Sequence, residues 1–419
     1  MTTSPVIESV VAQHADEAHF LWFLRETLIS APHVGLHALN RHDNRLAAHL
    51  DGLAVGREYA LELHAASTAD PVPGFFFTAA VIAIEAALET LREGVIARAK
   101  GSARIRRELV AAFGWVEPRH LRGIVRGLLQ SPDPFRRYLG LAACAVHRVA
   151  ANSAHDEALR DTDAPLAARA LRMAGELGKL DAEPVCARML ESPDPTAQFW
   201  AAWSAVLLGN RGAAIEVLRD RCLETGKQSE RALRTLLQAV SSAQGHETLR
   251  EIARDPARWR AVIFGCGIVG DPTYVPWLIQ GMRDPVRARL AGEALSHITG
   301  LDLAQGFEVP RPLAFEEPVM RGQEPPSVSV ASDEHLPWPD VDRIEAWWSA
   351  NGHRFAPGER YFMGASVTRE HCIEILRAAN NQRQRVTAAY YLCLQQPGTG
   401  LFEWRAPGDR QRRLLATLS

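Results

Sequence analysis

Gly265-Cys266-Gly267-Ile268-Val269-Gly270 spells Gly-x-Gly-x-x-Gly directly after the apolar Val262-Ile263-Phe264. In a dinucleotide-binding unit the last glycine lies in a helix's first turn, and the pyrophosphate rests on that helix's free N–H groups. Here Asp271-Pro272 follows at once and starts a new helix after the glycines, while the upstream text is Ala/Arg-rich. The stretch therefore reads as a turn between two helices, and no cofactor is expected. Two carboxylate–histidine pairs stand early in the chain, His14 with Glu17 and Asp16 with His19. Such pairs hold metal in bundles when another helix supplies a matching set. His33, His37, His42, His49 and His64 bring no second Glu-x-x-His, so exposed or capping histidines on an acidic face are expected, and no metal. Gly-x-Ser-x-Gly, a P-loop and His-Glu-x-x-His do not occur. The acids have no spacing that defines a general acid–base pair. A non-catalytic protein is the expectation; an enzyme with a site under the 301–340 loop stays as an alternative.

The charge is nearly balanced, with 47 Lys and Arg against 49 Asp and Glu. That balance disfavours a general nucleic-acid binder, which carries a basic excess. Locally it is uneven. Residues 1–91 hold eleven acids and four arginines, residues 92–126 nine basic residues and three Glu, and residues 301–345 ten acids and three arginines. Such blocks mark either partner surfaces or solvated faces. Within the basic block, Arg98, Lys100, Arg104, Arg106 and Arg107 are spaced to contact phosphates, or else to pair with the chain's own acids. Nucleic-acid binding through 92–126 is thus the second functional reading.

Leu336-Pro337-Trp338-Pro339-Asp340 is the most suggestive segment for a partner. A Trp held between prolines loses little entropy on docking, and Trp is enriched at binding hot spots. The same Trp would also serve to plug the protein's own groove. Trp338, Asp340, Asp333 and Glu334, with Asp16 and Glu17 near the N-terminus, are the candidate partner-binding residues.

These residues must be positioned by something, and the chain announces it repeatedly. Ser131-Pro132-Asp133-Pro134 recurs as Ser192-Pro193-Asp194-Pro195 and in part as Asp284-Pro285. Asp accepts bonds from the free N–H groups of a first helical turn, and Pro suits the first helical position. Helix starts near Asp133, Asp163, Asp194, Gln228, Asp255 and Asp284 fall roughly 30 residues apart, the beat of stacked helix pairs. Small residues recur at i, i+3, i+4 in Arg169–Gly175, Trp200–Val206 and Arg289–Leu295, which lets neighbouring helices approach closely. Val6, Val10, Phe20, Leu21, Leu24 and Leu28 predict the apolar face of a first helix. Tyr59–His64 fits either a strand or a frayed helix, and Phe75–Ala99 predicts one long apolar helix. Seven prolines within 310–339 interrupt the beat; a loop that long is functional or disordered. Six separated cysteines without a Cys-x-x-Cys pair suit a reducing compartment. No basic n-region precedes an apolar core, so a secretory signal is not expected, and the localisation is read as cytoplasmic. Phe75–Leu88 is too short, and carries Glu85, to be a membrane span.

Asp-Pro-x-x-Arg followed by Ala-x-x-Ala-Leu resembles HEAT-like repeats, most clearly in Asp284-Pro285-Val286-Arg287-Ala288-Arg289-Leu290-Ala291. The resemblance implies capping roles for Asp284 and Arg287, and less clearly for Asp133 with Arg136 or Arg137. By the same pattern Asp133, Pro134, Asp194, Pro195, Asp284, Pro285 and Arg287 are the structural repeat caps. Nearly the whole chain also resembles a family of bacterial HEAT-like repeat proteins found in gene neighbourhoods for type VI secretion. The residues that carry this are Gln13–Ala18 with Phe20-Leu21-Trp22, His49–Leu53, Leu336–Asp340, Trp347-Trp348, Gln396-Pro397-Gly398 and Arg405–Gly408. The resemblance implies a secreted effector or a secretion component as partner, and it brings no catalytic residues.

The sequence therefore predicts an all-α, HEAT-like helical-repeat solenoid, a right-handed superhelix of antiparallel helix pairs of about 30 residues each. Its expected segments are an acidic helical region over 1–100, repeats over 101–300, a Pro/acid-rich insertion loop over 301–340, and C-terminal helical repeats with an arm over 341–419. The expected function is a protein-binding scaffold, of immunity or accessory type toward a type VI effector or component. No cofactor and no membrane are expected.

Overall fold

Helix starts set the architecture. In a computed structural model, which describes residues 7–66, 71–226, 228–312, 333–378 and 380–418, the chain forms a succession of helix pairs. The first ten helices are α1 (Glu8–Leu28), α2 (Leu36–Val55), α3 (Arg57–Ala66), α4 (Phe75–Glu85), α5 (Glu89–Gly101), α6 (Ala103–Trp115), α7 (Arg122–Leu129), α8 (Pro134–Val146), α9 (Ser153–Ala158) and α10 (Ala164–Leu177). Then come α11 (Glu183–Arg188), α12 (Pro195–Leu207), α13 (Ala213–Leu223), α14 (Ser229–Ala239), α15 (Ser242–Ile252), α16 (Trp259–Val269), α17 (Val275–Gly281) and α18 (Ala288–Thr299). After the insertion follow α19 (Val341–Asn351), α20 (Arg369–Arg377), α21 (Gln382–Gln395) and α22 (Gly408–Thr417). From α6 to α18 the even-numbered helices are the second of each pair, and their starts lie 29 to 34 residues apart.

The caps show how that beat is built. Asp133 Oδ1 accepts from Phe135 N–H at 3.0 Å, and Pro134 opens α8. Asp194 Oδ1 accepts from Ala197 N–H at 2.6 Å, with Pro195 opening α12. Asp163 caps α10 through Leu166 N–H at 2.9 Å. At the third copy the chain behaves differently. Asp284 Oδ1 accepts from Val286 N–H at 3.0 Å, but Pro285 sits in a turn and α18 begins only at Ala288. Arg287 takes the N-cap position, and its Nε lies 3.2 Å from Asp284 Oδ2.

The fold comprises two compact units. One is Met1–Ser30, Val34–Leu177 and Glu403–Ser419; the other is Ala31–His33 and Gly178–Phe402. The border at Leu177/Gly178 falls inside the 101–300 stretch that the sequence reads as one run of repeats.

In the first unit α4 is the central element, buried from Phe75 through Ile84. Trp22 stacks on Phe77 at 5.2 Å, and Phe77 meets Trp115 edge-on at 5.8 Å. A helix buried at its N-terminus needs acceptors for its free N–H groups. Glu108 of α6 supplies them: Oε2 accepts from Phe76 N–H at 3.0 Å and Phe77 N–H at 3.3 Å. Burial pushes the Glu108 carboxyl upward, against the pull of those bonds and of Arg104. The single helix expected over Phe75–Ala99 is instead two. Ala87 turns left-handed (φ 53°), and Leu88 N–H closes onto Ala83 C=O at 2.8 Å, ending α4. Tyr59–His64 is helical, within α3. The C-terminal segment is clamped by Arg25 of α1. Its Nε pairs with Asp43 at 2.7 Å, and its Nη2 donates to Arg405 C=O at 3.0 Å and Ala406 C=O at 3.1 Å. Gly408 N–H then donates to Asp43 at 2.8 Å.

In the second unit α12, α14, α16 and α18 pack in series, and α21 packs on α12 and α14. Arginines close several helix ends, where carbonyls lack partners. Arg360 donates to Leu237, Gln238 and Val240 C=O at 2.7–2.8 Å, closing α14. Arg258 does the same for α13 through Cys222 and Leu223 C=O at 2.6 and 2.8 Å. Two short antiparallel ribbons complete the unit: β1 (Glu308–Val309) with β2 (Trp338–Pro339), and β3 (Tyr361–Phe362) with β4 (Ala365–Ser366). The first ribbon ties the two described ends of the insertion together; the insertion's interior lies outside the described residues.

All six cysteines are buried free thiols. Burial raises Cys144 to about 11 and Cys186, Cys222 and Cys372 to about 12, so these thiols serve as small apolar side chains. Among the described residues, no helix is long and apolar enough to cross a membrane.

Candidate protein-interaction surface

Helix α1 presents two contrasting sides. Its inner side buries Val11, Ala15, Ala18, Leu21 and Trp22, together with Arg25. Val10 and Phe20, read from spacing as core residues, lie on the outer side, 44% and 58% exposed, and Val6 lies outside the described residues. The seam is shifted because Ala15 and Ala18 let the neighbouring helices come close, so the small residues mark the core and the large ones do not. Phe23 is likewise 53% exposed, three residues from Phe20 and hence on the same face. Asp16 is exposed one turn before Phe20, and Glu17 is half-buried beside it. Sequence reasoning missed Phe20 and Phe23 as surface residues; the signal was the pair of alanines at i and i+3.

His14, His19, His42 and His49 make contacts within the first unit. His14 Nδ1 lies 3.1 Å from His49 Nδ1, not toward Glu17, and burial followed by His14 lowers the His49 pKa. His19 is buried, with Nε2 2.9 Å from Thr78 Oγ1. His42 is also buried, its Nε2 2.8 Å from Leu21 C=O. His19 and His42 thus depart from the expectation of exposed or capping histidines, whereas His33 and His37 are exposed. Among the described residues, no three His, Cys, Asp or Glu gather to hold a metal ion.

The residues chosen from the insertion are used within the second unit. Trp338 is only 9% exposed, with Arg289 stacked at 4.8 Å from its ring. Asp333, 5% exposed, pairs with Arg260 and, at 3.4 Å, with Arg383. Asp340 caps α19 through Arg343 N–H at 3.2 Å. Trp338 and Asp333 therefore do not face a partner: a ring flanked by two prolines and a carboxylate beside two arginines have docked on their own unit. Glu334 is exposed.

The glycine motif is equally local. Gly265 and Gly267 lie within α16, where a Cβ would come within 2.4 Å of Leu249 and 3.0 Å of the Ala294 Cα. Gly270 ends the helix left-handed at φ 74°, with Tyr361 C=O where a side chain would stand. Asp271 then opens a 3-10 turn through Thr273 N–H at 2.9 Å. These glycines serve helix packing and a C-cap. In the basic block, Lys100 pairs with Asp133 at 3.1 Å, Arg104 lies 3.9 Å from Glu108, and Arg106 stacks 5.7 Å from the Tyr138 ring. Around the caps, Arg137 pairs with Asp161 at 2.6 Å in the turn before α10, and Arg136 pairs with Glu93 of α5.

No curated protein and no solved structure matches the chain. Residues 154–238 match the HEAT repeats family. With the helix pairs described above, this match makes the chain an all-α, HEAT-like helical-repeat protein of the solenoid class.

Proposed function

We propose that the protein is a non-catalytic scaffold that binds a partner protein through the outer face of α1. HEAT repeats commonly serve as protein-interaction scaffolds and are typically not enzymes. The observation that carries the reading is the exposure of Phe20 and Phe23, at 58% and 53%. Each ring is a little over half exposed, so a partner's surface that covered it would recover roughly half of a full burial, about 1 kcal/mol each. The α1 charges one turn away are acidic: Asp16 is exposed, Glu17 is half-buried, and Glu26 pairs with Arg405 at 3.0 Å, while the one arginine of α1, Arg25, is buried. The partner that fits is a protein surface with an apolar patch rimmed by Lys and Arg. This agrees with an immunity or accessory role in which an acidic face covers the basic active site of a type VI effector, a finer reading that rests on the sequence resemblance.

The test is co-purification and titration with the proteins encoded beside this gene. One of them should bind, and Phe20→Ser with Phe23→Ser should weaken binding by about tenfold or more, since aromatic anchors dominate interface energies. Binding that ignores both substitutions removes α1 as the surface, and no binding by any neighbour removes the effector reading.

A further inference from the structure

His14 of α1 and His49 of α2 differ from the other early histidines of the first unit. His19 and His42 are buried, and each meets an oxygen. His14 and His49 are half-exposed and meet each other, Nδ1 to Nδ1 at 3.1 Å. Among the described residues, each Nδ1 hydrogen-bonds only the other. Two such nitrogens share one proton: one donates it, and the lone pair of the other accepts it.

The same spacing is the bite of one metal ion. With an imidazole nitrogen about 2.0–2.1 Å from the ion, two nitrogens 3.1 Å apart subtend about 100° there, between the square-planar and the tetrahedral angle. Imidazole suits copper, nickel and zinc ions. Gly52, three residues beyond His49 on α2, seats the His14 ring: a Cβ there would lie 2.6–2.7 Å from its Cδ2, Cγ and Nε2. Glycine inside a helix is unfavourable, and here it leaves the room that brings the two Nδ1 atoms together. Burial and the nearby His14 hold His49 below the usual imidazole value, which favours the neutral ring that binds metal. Of the charges acting on His49, Glu17 attracts a cation and outweighs Arg45, which repels one.

From this we infer that His14 and His49 chelate one divalent transition-metal ion through their Nδ1 atoms, with water in the remaining positions, and that the ion staples α1 to α2. The ring that carries its proton on Nδ1 takes it on Nε2 instead, which frees the second lone pair. Two protein ligands make an open site; among the described residues no third His, Cys, Asp or Glu closes it. The inference rests on the side of α1 that meets α2, not on Phe20 and Phe23.

Titration of the full chain with Cu²⁺, followed by electron paramagnetic resonance and by melting temperature, tests it. The first equivalent should show a two-nitrogen hyperfine pattern and raise the melting temperature, because an ion that binds only the folded chain stabilises it. His14→Gln and His49→Gln should each weaken binding about tenfold or more, since each removes one arm of the chelate. His33→Gln, in the chain's other close histidine pair with His335, should leave that affinity unchanged. Mg²⁺, which takes oxygen ligands, should not compete. If a histidine variant fails to fold, the spectrum of the native chain decides. The inference is overturned if the native chain takes up no Cu²⁺ at one equivalent, or if the spectrum shows any count but two nitrogens. It is also overturned if binding survives both His14→Gln and His49→Gln, if His33→Gln abolishes it, or if Mg²⁺ displaces the copper.

Discussion

The outer face of α1 and a row of arginine-covered rings in the second unit use the same kind of side chain in opposite ways. On α1, Phe20 and Phe23 stand bare beside acids. On the row, Trp200, Trp259 and Phe264 each lie beneath an arginine. A bare ring holds unspent hydrophobic free energy and attracts another apolar surface. A covered ring has already used its face. The two kinds of ring leave different surfaces exposed, so aromatic content alone says little about what a helical-repeat surface offers.

Five variants break or sharpen this contrast. The largest effect should come from Arg25→Ala, on the inner side of α1. It strands the buried Asp43 and frees the C-terminal segment, and breaking a buried pair of this kind costs about 3–5 kcal/mol. Chemical denaturation of the two chains measures it; a loss below about 1 kcal/mol would mean that α1 is not held by this clamp. Trp338→Ala should cost about 3–5 kcal/mol, since it empties the space under Arg289. A small loss there would return Trp338 to the candidates for partner contact. Next comes the cap of α12, the helix that carries Trp200. Asp194→Ala should cost about 1 kcal/mol, whereas Asp284→Ala should cost less, because Asp284 closes a turn ahead of α18 instead of capping it. Equal losses would show that the turn matters as much as a cap. The smallest effect on stability belongs to Phe20→Ser with Phe23→Ser, within about 0.5 kcal/mol for surface positions, although the same pair should abolish most of the proposed binding. A large loss of stability would make those rings structural and remove the contrast.

Much of the fold was legible because capping is a local transaction. Asp133, Asp163 and Asp194 bond N–H groups two or three residues away, so their roles can be read without knowing any neighbour. The break of α4 at Ala87 was not legible, since a left-handed alanine carries no mark in the sequence. The candidate site was legible only in part. Asp16 and Glu334 are exposed, but Trp338 and Asp333 are buried, and their partners Arg289, Arg260 and Arg383 come from α18, α16 and α21, in that order. Nothing near residue 338 announces them.

By itself the sequence determined the helix pairs, their roughly 30-residue beat and the turn at Gly270-Asp271, though not that Gly265 and Gly267 lie inside the preceding helix, because caps, prolines and small-residue spacing act within a few residues along the chain. Tertiary structure decided which side of each helix is covered. The seam of α1 runs through Ala15 and Ala18, so Phe20 faces water, and Asp333 of the insertion settles on arginines far away in the chain. Those outcomes depend on which helices meet and how closely, a sum over many weak contacts that no local motif encodes.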